Sequence, residues 1–152
     1  MEGMTRVAAA LGAFTALAVI AYWALVFAGL FPVTELVPGY RDWFLSFPLA
    51  DAWIAASGMW LAVAAWRRRP SATAAAAALG SALIFLGLYA LLYGATTGLL
   101  FHLTADELIE IAVKAYCLTV GAFLVWSSVR GSGKAVHASP SAVDTMQAPR
   151  QG

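Results

Sequence analysis

His102, Asp106, Glu110 and Lys114 stand four residues apart, with Glu107 among them, at the head of a stretch reading TADELIEIAVKAYC. On a continuous helix that spacing places them along one slowly drifting face. Carboxylates and an amine gathered in this way can hold an ion, relay a proton, take a polar ligand or simply pair with one another. Asp106 and Glu107 are easily accommodated, because a helix's first turn favours negative charge. Glu110 and Lys114 are costly. If the helix enters lipid near residue 105, Lys114 lies on the order of 13 Å deep, where a lone charge costs about 2.5–3.5 kcal/mol. Glu110 precedes Lys114 by four residues, the order that favours an ion pair on a helix. The pattern predicts an inward-facing Glu110–Lys114 pair, extended by Asp106 or Glu107 and enclosing an outward acidic cavity. It reads first as a structural or assembly element, next as a ligand or ion site, and last as catalysis.

Other residues must face this group. Tyr93 and Thr97 share a helix face and could direct hydroxyls toward Glu110 or Lys114, although a tyrosine in a span reads first as an interfacial or packing residue. Asp51, in SFPLADAW, reads as a carboxylate near a helix N-terminus, stabilised by the dipole; the sharper alternative makes it a partner of Lys114 or Arg41. Arg41 and Asp42 are expected to form a local surface pair. Gly80, Gly87 and Gly94 recur every seven residues, with Gly98 four further on. Such a stripe lets helix backbones approach closely in lipid.

Several chemistries are not predicted. Cys117 is the only cysteine, which excludes an intrachain disulfide and a C-x-x-C pair, and with them a four-helix thiol oxidoreductase of the vitamin K epoxide reductase type. His102, Asp106 and Glu110 could offer three metal ligands, but Thr104 as a cap leaves His102 outside the helix. The other histidine, His137, lies at the opposite side, so no metal is expected. There is no nucleophile elbow, phosphate loop, dinucleotide fingerprint or paired-histidine haem arrangement, so neither a catalytic residue nor a cofactor is predicted.

The elements that position these residues follow from composition. Of 152 residues, 62% are hydrophobic and 11% charged, and mean hydropathy is +0.79; soluble domains carry about 25% charged residues. The chain is therefore expected to be an all-α integral membrane protein, with the lipid bilayer as its first partner. Four segments reach the roughly 20 apolar residues that a span needs, at about 7–31, 48–66, 74–100 and 105–128. The first is too long for a signal-peptide core and is read as a retained span. Thr104 and Glu107 make a capping box for the fourth. Residues 130–152 are small, polar and proline-containing, and are expected to form a disordered tail.

Basic residues near span ends set direction. With both termini inside, Arg6, Arg67, Arg68, Arg69, Arg130, Lys134 and Arg150 are cytoplasmic and only Arg41 is outside. The expected architecture is a four-transmembrane-helix bundle, N-in and C-in, in a prokaryotic plasma membrane. The net charge of +1 gives no reason to expect nucleic acid as a partner.

The stretches FPLADAW, GLYALLYG and LTADELIEIAVKAYC resemble those of small four-span prokaryotic membrane proteins without an assigned activity, over about residues 7–129. That resemblance implies the four-helix architecture and transfers no site residues. Likeness to DoxX-type proteins is one of size and hydropathy alone. The leading expectation is a non-enzymatic accessory or assembly protein, bound to a membrane partner or to further copies of itself. The alternative is a small transporter or ion-coupled binding protein using Glu110 and Lys114; a lipid- or quinone-modifying enzyme ranks third. The halves 7–66 and 74–129 share hydropathy but no matching motif, so transport would require a homo-oligomer.

Overall fold

The computed structural model describes residues 2–31, 33–35, 37–101 and 104–137, without the side chains of 2–4, 105, 106 and 131–137. Its helices are α1 (Glu2–Phe27), α2 (Tyr40–Phe44), α3 (Pro48–Trp66), α4 (Ala72–Thr97) and α5 (Ala105–His137), with a 3-10 turn at Leu99–Phe101. Among the described residues, four helical stretches are long and apolar enough to cross a membrane: Thr5–Phe27, Tyr40–Trp66, Ala72–Thr97 and Glu107–Arg130. The second joins the short α2 to α3. Only 22–33% of an 18-residue apolar window in each stretch is buried inside the protein, so most of these side chains keep some exposed surface, as a hydrocarbon solvent permits.

Local chemistry sets the helix ends. Pro48 opens α3, where its fixed backbone suits the first turn. Gly29 adopts φ 71° after α1, which stops short of the predicted residue 31. α4 stops at Thr97 because Gly98 takes the left-handed conformation, φ 79°, which a residue bearing a β-carbon adopts at a cost. Gly98 has no neighbour within 4 Å of where a β-carbon would stand. It is therefore a helix terminator and not, as expected, a fourth member of the packing stripe. α5 runs on to His137, well past the expected end of the span, while residues 138–152 of the expected tail lie outside the described residues.

The helices pack as two pairs, α1 against α3 and α4 against α5, joined chiefly through α3 and α4. Each pair closes on two facing glycines. A β-carbon on Gly12 would lie 2.7 Å from the Gly58 carbonyl oxygen, and one on Gly80 would lie 2.9 Å from that of Gly121. Gly87 meets Cys117 and Leu118, and Gly94 meets the Lys114 amine, so these three stripe glycines face α5. The returning helix of each pair carries a buried ionisable residue seven positions before its glycine: Asp51 before Gly58 and Lys114 before Gly121. The halves thus correspond in packing although they share no sequence motif. The core between them is small-residue and leucine-rich, with Ala16, Ala75, Leu79 and Leu124 fully enclosed.

Candidate functional site: a buried ion triad under an aromatic cap

The Thr104 hydroxyl accepts the Glu107 backbone N–H at 3.2 Å, which starts α5. This is half of the expected capping box. The other half is missing because the Glu107 carboxylate turns to Lys114 instead. Glu107 Oε1 accepts from Lys114 Nζ at 2.9 Å, and Glu110 Oε2 accepts from the same amine at 3.1 Å. Lys114 and Glu107 are 6% and 4% exposed, whereas the Glu110 side chain keeps 33% of its surface. Helical spacing alone brings the three together, since Glu107 and Glu110 stand seven and four residues before Lys114. Gly94 completes the enclosure: a β-carbon there would stand 3.4 Å from the amine.

The hydroxyl that joins this triad does not come from Tyr93. Tyr40 donates to Glu110 Oε1 at 2.6 Å and is itself buried. Tyr93 instead stacks flat on Trp43, with ring centroids 3.8 Å apart, and Thr97 donates to the Tyr93 carbonyl. α2 folds across the end of the bundle, where its Trp43 holds the Tyr93 ring while its Tyr40 reaches Glu110. Glu35 braces this short helix by accepting the backbone N–H groups of Gly39 and Arg41. Its rings continue the cover, with Phe44 packing on Tyr22, Trp23 and Tyr40. The outward acidic cavity expected at Lys114 is therefore closed around the amine. The Asp106 side chain lies outside the described residues, as does His102.

Asp51 stands in the first turn of α3, as the helix N-terminus reading expects, and departs from that reading only in depth. It is 9% exposed, so it is not a near-surface carboxylate, and it bonds to neither Lys114 nor Arg41. Its Oδ2 accepts the Trp23 indole N–H at 2.8 Å, while Oδ1 is buried without a hydrogen-bond partner. Trp23 was not singled out from the sequence, since an indole in an apolar span gives no sign of its partner. A further polar link sits deeper: Thr15 Oγ1 donates to the Leu11 carbonyl at 2.8 Å and stands 2.7 Å from the Tyr116 hydroxyl, tying α1 to α5.

Chemically, the triad is a satisfied ion network with more acid than base. The amine donates to two carboxylates, and the reachable one, Glu110, has bonds on both oxygens. Comparison with protein-family models, curated proteins and solved structures finds no match to this chain.

Proposed function

We propose that this chain is a non-enzymatic accessory or assembly protein of the plasma membrane, working through its lipid-facing helix surfaces, with both termini cytoplasmic. The observation that carries this reading is the closure of the Lys114 network. The amine is bound by Glu107 and Glu110, and Glu110 is bound in turn by Tyr40. A network whose amine is held by two carboxylates of its own helix and covered by α2 works as a lock between the cap and α5. The direction is supported by Arg6, Arg67, Arg68, Arg69 and Arg130 at one end against Arg41 at the other. Arg130 also sits 3.9 Å over the Trp126 ring, a pairing suited to a membrane interface. The test is native mass spectrometry of the protein extracted gently from its own membrane. One stoichiometric membrane partner supports the accessory role; a chain that is monomeric and partner-free in every extraction counts against it.

A second reading, an ion-coupled binding protein, is favoured by one observation. Three carboxylates, Asp51, Glu107 and Glu110, share the α2 half of the bundle with the single amine of Lys114, and one oxygen of Asp51 is unspent. An excess of buried negative charge attracts a cation.

A further inference from the structure

Asp51 and Glu110 belong to one aromatic cluster. Asp51 accepts from Trp23, whose ring lies 5.3 Å from Phe44. Phe44 in turn packs 6.1 Å from Tyr40, which donates to Glu110. Tyr22 packs on both Trp23 and Phe44 and lies within electrostatic reach of both carboxylates. Glu110 is consumed by Lys114 and Tyr40. Asp51 is not, because among the described residues no group bonds to its buried Oδ1.

A half-satisfied carboxylate this deep calls for a donor, and a charged donor answers best in a half of the bundle where acids outnumber the one amine. The surroundings say what the rest of that donor should be. Faces of Trp, Tyr and Phe rings attract cations and accept hydrocarbon, while among the described residues no three metal-ligating side chains are grouped. α1 and α5 are barely in contact; they meet at Thr15 and Phe14 against Tyr116, and toward α2 they are flanked by half-buried Tyr22 and partly exposed Glu110.

We propose that Asp51, beneath the rings of Tyr22, Trp23 and Phe44, binds a protonated lipophilic amine, its N–H on Oδ1 and its hydrocarbon against those rings. The ligand class rests on the binding reading above and narrows it.

The test uses the full chain in phosphatidylcholine nanodiscs and equilibrium dialysis, with empty discs subtracted. The probes are N,N-dimethyl-1-naphthylmethylammonium, which carries an N–H, and its N,N,N-trimethyl analogue, which does not. One saturable site per chain is expected. The tertiary amine should bind at least about tenfold tighter than the quaternary one, as a charged hydrogen bond requires, and Asp51→Asn should weaken it at least about tenfold. Equal affinity of the two probes for the wild-type chain overturns the Oδ1 contact, and this comparison decides the matter even if Asp51→Asn does not fold. Undiminished binding by a folded Asp51→Asn overturns it too. If neither amine saturates while sodium ions raise the Tm of wild type but not of Asp51→Asn, the ligand class is wrong and the binding reading stands. If neither amine nor sodium binds, both fall.

Discussion

Tyr40 and Glu110 are 70 residues apart in the chain, yet the tyrosine hydroxyl lies 2.6 Å from the carboxylate. This bond couples the loop helix α2 to the ion triad of α5, so cap and charge cluster should open and close together. Tyr40→Phe keeps the ring and its packing but leaves Glu110 Oε1 without that donor. Because Glu110 is one-third exposed and water can replace part of the bond, the expected loss is about 1–2 kcal/mol. Amide hydrogen exchange should show α2 deprotected while the middle of α4 is unchanged; an unaltered α2 would show that the hydroxyl does not hold the cap.

The triad itself should respond asymmetrically. Lys114→Met leaves the buried Glu107 carboxylate and the partly exposed Glu110 without their shared amine, an uncompensated charge expected to cost about 3–5 kcal/mol. Glu110→Gln should cost less, since its head reaches the surface. The triple variant Glu107→Gln, Glu110→Gln, Lys114→Met should recover most of the loss, because a matched neutral set needs no counter-charge. Unfolding in mixed micelles by SDS titration measures each; a triple variant as unstable as Lys114→Met alone argues that packing, not charge, holds this region.

The glycines make a graded series. Gly80→Ala pushes a methyl against the Gly121 backbone, where nothing flexible can yield, and should cost about 1–3 kcal/mol. Gly98→Ala meets no atom but must hold φ 79°, at a cost of about 1–2 kcal/mol. Gly94→Ala meets the tip of the Lys114 side chain at 3.4 Å and Leu100 at ordinary contact distance, 3.6–3.8 Å, and should be the mildest. The same titration ranks them; Gly94→Ala proving the worst would contradict the packing described.

Trp23 and Asp51 should behave as a coupled pair. Trp23→Phe removes the one donor to the carboxylate and should destabilise by about 1–3 kcal/mol. Adding Asp51→Leu should return much of that, since replacing both partners by apolar groups leaves no orphan. A double-mutant cycle reads the coupling directly, and additive losses would show that the 2.8 Å bond contributes nothing.

The orientation gives a labelling test. In a Cys117→Ser background, Asp42→Cys on α2 should react with a membrane-impermeant thiol reagent from outside intact cells, and Arg69→Cys only after the membrane is opened. The reverse pattern would invert the bundle.

Much of this protein could be read from residue order alone. Length and hydropathy gave the four spans, Pro48 and the Thr104 cap marked where α3 and α5 begin, and the meeting of Glu107, Glu110 and Lys114 followed from helical spacing, because an i, i+4 or i, i+7 relation is settled within one helix. Gly80, Gly87 and Gly94 were legible as one face for the same reason. What faces what was not. A helix in water announces its buried side by its polar one, but in hydrocarbon nearly every side is apolar and that signal vanishes. Tertiary packing alone decided that Gly12 meets Gly58, that Trp23 rather than Lys114 takes Asp51, and that Tyr40 displaces Tyr93 at Glu110. Each of these pairs joins different elements, and their approach is set by how closely backbones can stack, a property of the whole bundle and of no single stretch.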